Sequence, residues 1–197
     1  MTAPSPTARL VHTLARSAAA AALAVPALLP GPAFAGAALP PPRVPSAIRA
    51  PAGNVPFLLG HARGTQNYAC QPSSTSPIGY AWTLVAPEAK LVDDAGAPIM
   101  THSAGPTWQA NDGSTVVGAR VEGVTVSPSA IPWLLLRATS TTRGPGGGDQ
   151  LTATTFIQRV NTAGGLPPAS GCDAATVGAL ANVGYTSDYY FYKAAKS

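Results

Sequence analysis

Beyond residue 54, short runs of apolar or alternating residues recur along the chain, and turn-forming residues separate each run from the next. The run over residues 151–160 (LTATTFIQRV) is rich in β-branched side chains, which favour a pleated strand. Residues 78–85 (IGYAWTLV) form another such run, and residues 111–113 (NDG) are a strong hairpin signal. Short strands at this spacing are typical of an all-β domain.

These runs amount to roughly eight to ten strands with almost no helix. We therefore predict an all-β fold, a single-domain β-sandwich or partly closed β-barrel, with at most one short helix. Residues 173–180 are the candidate helix, because Asp173 can cap it. The run over 131–138 (IPWLLLRA) is apolar at almost every position, which predicts a strand buried on both faces.

The N-terminal segment has the pattern of a secretory signal peptide over residues 1–35. Arg9 and Arg16 precede an apolar stretch over residues 17–29, and an Ala-Phe-Ala site ends at Ala35. The stretch is too short to span a bilayer, so we expect no stable membrane anchor after cleavage. We therefore expect a secreted, extracellular protein; the alternative is an Ala/Pro-rich tail that is never cleaved. A proline-rich leader over 36–54 precedes the β domain, residues 55–197.

Charge is scarce, which narrows the classes of partner. Of 197 residues, 12 are basic and 8 are acidic, and 46% are hydrophobic, so charge-driven disorder is excluded. Removal of Arg9 and Arg16 with the signal peptide leaves a net charge of +2. The remaining basic residues are scattered singly, whereas nucleic-acid binding normally requires a basic stripe. We therefore predict no nucleic-acid partner.

Cys70 and Cys172 are the only cysteines. In an oxidising compartment two cysteines without a third are expected to pair, so we predict a disulfide. The alternative is a reactive thiol.

Catalytic chemistry has few candidate residues. His61 and His102 are the two histidines of the mature chain, and no closely spaced pair of metal ligands accompanies them. The chain lacks Gly-x-Ser-x-Gly, and its glycine-rich segment over residues 144–148 matches no nucleotide-binding motif. We predict no metal and no cofactor. Carboxylates such as Asp112 and Asp188 keep a hydrolase open as an alternative, with His61 or His102 as the partner.

Aromatic side chains recur near the ends of the predicted strands. In the last strand, alternation places Tyr190 and Tyr192 on one face and Tyr189 and Phe191 on the other, which favours burial on both sides. Flat aromatic faces beside polar groups also suit a sugar or a peptide at a shallow site, so a binding surface and a packed core are both open.

The candidate binding patch combines one such aromatic residue with polar neighbours near predicted turns. Its residues are His102, Trp108 and Gln109, together with His61 and Gln66.

Eight segments in this order resemble a family of secreted proteins, domain of unknown function 3455. They are GHARGTQNYAC at 60–70, APEAKLVDDAG at 86–96, HSAGPTW at 102–108, NDGSTVVG at 111–118, IPWLLLRA at 131–138, IQRVNTAGG at 157–165, GCD at 171–173 and YTSDYYFY at 185–192. The resemblance implies a compact exported β domain, and it supports the Cys70–Cys172 bond because both cysteines lie in shared segments. It implies no activity, cofactor or catalytic residue.

Three functions follow from the sequence as hypotheses. The first is an exported, disulfide-stabilised binding module at or outside the cell surface, with cell-wall glycan or an extracellular protein as its partner. The second is a secreted hydrolase that brings His61 or His102 together with a carboxylate. The third is a structural surface protein that self-associates through an exposed strand edge.

Overall fold

Eight consecutive antiparallel strands form one sheet that closes on itself. The computed structural model describes residues 1–2 and 39–196, so the predicted signal peptide lies outside the described residues apart from its first two. The strands are β1 (Asn54–Pro72), β2 (Tyr80–Val92), β3 (Pro98–Ser103), β4 (Thr107–Ala110), β5 (Thr115–Val124), β6 (Trp133–Thr142), β7 (Thr154–Gly164) and β8 (Leu180–Ala194). Each pairs with the next, and β1 pairs with β8.

The all-β prediction is confirmed, and of the two architectures predicted the structure is a barrel, closed by the pairing of β1 with β8. Closure comes from the long β1–β8 register, which runs from Asn54 opposite Ala194 to Ala69 opposite Leu180. Among the described residues, no helix is long and apolar enough to cross a membrane.

The predicted helix over residues 173–180 is wrong. Asp173 does cap a turn, because its carboxylate accepts a hydrogen bond from the backbone N–H of Ala175 at 2.8 Å. The residues that follow form hydrogen bonds with β1 instead of forming a helix. The Cys70 N–H donates to the Ala179 carbonyl, and the Gly178 N–H donates to the Cys70 carbonyl. The single short helix of the described residues is a 3-10 turn at Ser46–Ile48, before the barrel.

Alternation along β8 supplies much of the barrel interior. Tyr189 and Phe191 point inward and are fully buried, and Tyr192 on the opposite face is buried as well. The prediction that this strand is covered on both sides is therefore confirmed, although Tyr190 is only half-buried.

The proline-rich segment before β1 covers part of the outer barrel wall. Ile48 is completely buried there, and its carbonyl accepts a hydrogen bond from the Gln158 amide. The oxygen of the same amide accepts a hydrogen bond from the Tyr192 hydroxyl. The two-sided burial predicted for residues 131–138 is met only in part: β6 begins at Trp133, the adjacent Leu135 and Leu136 are both buried, and Arg137 is exposed.

One end of the barrel is closed by its own loops. This closed end carries the β4–β5 and β6–β7 connections. The Asp112 carboxylate accepts hydrogen bonds from the backbone N–H and the hydroxyl of Ser114 and from the Gln150 N–H. Those bonds, led by the Ser114 hydroxyl, lower the pKa of Asp112. Leu151 is fully buried beneath them, and its N–H donates to the Ser114 hydroxyl.

The opposite end carries the disulfide and the longest connection, that between β7 and β8. Cys70 of β1 is bonded to Cys172 of the β7–β8 connection, as predicted. At the start of that connection Gly165 has φ +79°, and a Cβ there would lie 2.9 Å from Tyr185 and 3.2 Å from Gln66. Only glycine lets the backbone approach the barrel interior so closely.

We predict that replacing both cysteines (Cys70→Ala with Cys172→Ala) lowers the free energy of unfolding by about 2–4 kcal/mol, because the bond closes a long loop in the unfolded chain. Urea denaturation of the variant and the oxidised wild type measures the difference. Wild type with reductant is the matched control and should unfold like the variant. Equal midpoints for the oxidised protein and the variant would contradict the prediction.

Candidate functional site

A gap in the barrel wall follows from the lengths of the strands. β3 and β4 form a short hairpin that pairs with β2 only from Ala89 onward and with β5 only up to Val117. The Gly118 N–H makes one more bond, to the Pro106 carbonyl. Within residues 39–196, residues 80–87 of β2 and 119–124 of β5 have no strand partner on the sides that face this hairpin. We call the gap between them the notch.

A cavity of about 280 Å³ lies inside the barrel behind the notch, and every strand contributes to its lining. Leu84 and Val85 line it from β2 although they are 49% and 58% exposed, so they form an apolar rim. Gln66, His102 and Trp108 line its depth and are 2%, 3% and 0% exposed. An eight-stranded barrel is wide enough to be filled by side chains or to hold one small ligand.

The inner wall of the cavity is a packed aromatic cluster. The rings of His102 and Trp108 are stacked, with centroids 4.2 Å apart and planes 9° apart. Tyr189 meets both rings edge-on, at 5.2 and 5.3 Å. Gly118 gives the indole room, because a Cβ there would lie 3.2 Å from Trp108. The rings hold one another in place, so the inner wall of the cavity is packed and ordered.

His102 is neutral in this setting. Burial lowers the pKa of His102 to about 4. A hydrogen bond to the Thr107 carbonyl opposes this shift, and the charge of Arg159 adds to it. The Nδ1–H donates that bond, at 2.9 Å. Nε2 is therefore the unprotonated nitrogen, and it can accept a hydrogen bond.

Two buried donors of the cavity lining have no protein partner in the described part of the chain. They are the Nε1–H of Trp108 and the Nε2 amide of Gln66. The hydroxyl of Tyr185 is a possible partner for the Gln66 amide, because Gln66 weakly opposes the effect of burial, which raises the pKa of Tyr185 far above its ordinary value. The two side chains nevertheless make no hydrogen bond of acceptable geometry. Buried polar groups are normally paired, so these two unpartnered donors are exceptions in the lining of the cavity.

Two arginines complete the lining. Arg159 is half-buried, and its Nε and Nη2 donate to the Pro132 carbonyl at 3.1 and 2.8 Å. Arg120 is exposed on the β5 side of the notch. Among residues 39–196 neither guanidinium forms an ion pair, and no carboxylate lines the cavity.

The structure brings together three of the five residues of the predicted patch. Gln66, His102 and Trp108 line one cavity, inside the barrel and not at a shallow surface. Gln109 alternates with Trp108 on β4, is exposed and does not line the cavity. His61 lies on the outer face of β1 and does not line it either.

Sequence reasoning missed the two arginines of the site. Arg159 interrupts an otherwise uncharged strand, two residues after the buried Ile157, so alternation aims it toward the interior. That signal was present in the sequence. The role of Arg120 depends on the notch, which follows from strand registers that a single sequence does not show.

His61 forms a separate cluster on the outer wall. Its Nδ1 lies 2.7 Å from Asp188 Oδ1, and its Nε2 lies 2.9 Å from Asp94 Oδ1. Asn161, at φ +52°, donates to the other oxygen of Asp188 at 2.7 Å. The bonds to Asp94 and then Asp188 raise the pKa of His61.

Of the two histidines considered for a hydrolase, His61 meets carboxylates, those of Asp94 and Asp188, and no carboxylate lines the cavity beside His102. His61 and His102 lie on opposite faces of the sheet, and Asp112 is bonded to Ser114 at the closed end. Both ring nitrogens of His61 contact carboxylates, so neither is free to take a proton from a substrate. The described residues include no group of three His, Cys, Asp or Glu side chains that could hold a metal ion.

Fold and site together define a closed eight-stranded barrel with a partly polar internal cavity. Residues 51–193 match a protein-family model described as Protein of unknown function (DUF3455), and the chain belongs to this family. No curated protein and no solved structure matches the chain.

We predict that the pairing of His61 stabilises the protein most at mildly acidic pH. Its pKa in the folded state lies above the ordinary value of 6.5, so the stabilisation is complete below 6.5 and is lost as the pH rises through the folded-state pKa. The difference in unfolding free energy between wild type and His61→Gln should shrink from about pH 6 to about pH 9. Urea denaturation across this range measures it; a difference that grows with pH would contradict the prediction.

Proposed function

We propose that this protein is an exported binding protein that holds one small molecule in the barrel cavity and admits it through the notch. The observation that carries the proposal is the pair of unpartnered buried donors, on Gln66 and Trp108, in the lining of a cavity with an apolar exposed rim. Ligand pockets combine largely apolar walls with a few polar groups that fix orientation, and this lining has that composition.

The position of Trp108 supports a small ligand rather than a polymer. A cell-wall glycan would stack on an exposed aromatic ring, but the indole of Trp108 is fully buried against His102 and Tyr189. A polysaccharide could reach the cavity only by threading a chain end through the notch. A small molecule has no such constraint.

The notch is one place where self-association through strand edges would be possible. The unpaired edges described above, 80–87 and 119–124, border the mouth of the cavity. A second copy bound there would cover the mouth, so self-association and ligand entry compete for one place.

Entry through the notch makes a testable prediction. Replacing Val85 by a larger residue (Val85→Trp) narrows the apolar rim and should weaken binding of the neutral fluorescent probe N-phenyl-1-naphthylamine by at least about tenfold. Val55→Trp is the matched control: Val55 is also an exposed strand valine, but it lies at the start of β1, outside the cavity lining. Fluorescence titration gives both dissociation constants.

Two results would count against the proposal. One is equal binding of the probe to both variants; the other is retention on insoluble cell-wall polysaccharide that Val85→Trp leaves unchanged. A molar mass that rises with protein concentration, and falls in Val85→Trp, would favour self-association at the notch.

Export makes a separate prediction. When the full-length chain is expressed in a bacterium that secretes proteins, the protein recovered outside the cytoplasm should begin at Gly36, because the Ala-x-Ala pattern ends at Ala35. N-terminal sequencing checks this. An intact N-terminus on cytoplasmic protein would contradict export.

A further inference from the structure

The charge around the cavity indicates which ligand chemistry it can hold. Two guanidinium groups, Arg120 and Arg159, line it, and the lining has no acidic residue to oppose them. Arg159 is half-buried and has no acidic partner in the lining, so an anion bound beside it would gain a favourable electrostatic interaction.

Arg159 is held in a fixed position for such an anion. The Pro132 carbonyl accepts from its Nε and Nη2 and thereby orients the planar group. Within residues 39–196 its Nη1 makes no hydrogen bond to protein. Because the guanidinium is already oriented, little side-chain entropy remains to be lost when a ligand binds.

The other polar groups of the lining are compatible with a negative charge. The Trp108 indole is only a donor, and the Gln66 amide can turn to present its NH₂. His102 is uncharged and offers a single acceptor, so it does not repel an anion. Leu84, Leu134 and Leu136 supply apolar walls for the remainder of a ligand.

We propose that the cavity binds a small monocarboxylate with an apolar or aromatic body, with its carboxylate toward Arg159 and Arg120. This inference rests on the proposed function and names the ligand class of the same site. A carboxylate matches the planar guanidinium, and a single charge is less costly than a double one among apolar walls. The volume of about 280 Å³ is at the small end for ligand pockets.

Three matched probes test the charge while keeping the body constant: 3-phenylpropanoate, its primary amide, and 3-phenylpropylamine. Isothermal titration of the mature protein should show the acid binding at least about tenfold more tightly than the amide, because charge-assisted hydrogen bonds are the stronger ones. The amine should bind more weakly than the amide. Raising the salt concentration should weaken binding of the acid and leave binding of the amide unchanged.

Arginine variants locate the effect. Arg120→Gln should weaken binding of the acid and leave binding of the amide unchanged. Arg159→Gln should remove most of the preference for the acid over the amide. Arg137→Gln is the matched control, because Arg137 is an exposed arginine of the neighbouring β6 that does not line the cavity. If Arg159→Gln fails to fold after losing its bonds to Pro132, Arg120→Gln and the salt series still decide the question.

Each result has one meaning. Equal binding of acid and amide, or preference for the amine, overturns the carboxylate inference while the binding function stands. Loss of acid binding in Arg137→Gln equal to that in Arg120→Gln overturns it as well. If none of the three probes binds, the inference falls, and if N-phenyl-1-naphthylamine also fails to bind, the proposed function falls with it.

Discussion

The pairing of the first strand with the last is the interaction on which the rest of the structure depends. Along β1 and β8 it closes the sheet, and it fixes which side chains face the interior. Gln66 of β1 and Tyr189 of β8 line one cavity because both strands belong to one closed wall. Closure also removes most of the exposed strand edge that an open sheet would present to other chains.

Strand length then determines where the closed wall has an opening. The β3–β4 hairpin is shorter than its neighbours, so the hydrogen-bonded wall stops early on that side. At the other end, Asp112 and Ser114 join two loops above the buried Leu151. The two ends therefore differ: the closed end is stabilised by backbone-to-carboxylate bonds, and the open end has an exposed apolar rim.

The sequence was informative where local pattern decides structure. Alternation on β8 correctly assigned the two faces of the strand, and two cysteines without a third correctly indicated their bond. Local pattern failed over residues 173–180, where Asp173 has the right chemistry to begin a helix but hydrogen bonds to Cys70 hold the following residues extended. His102 and Trp108 were proposed together for a surface, yet inward alternation from Met100 placed His102 inside. The notch could not be predicted, because it depends on the registers between strands that are distant in the sequence, and these are set by tertiary structure.

The 3-10 turn at Ser46–Ile48, which packs on the outer wall, affects where a fragment of this protein can begin. The family match begins at residue 51, and β1 begins at Asn54, so both boundaries exclude Ile48. A fragment trimmed to either boundary would leave the buried amide of Gln158 without the Ile48 carbonyl. The folding unit is therefore longer than the barrel, and a stable fragment has to include Ile48.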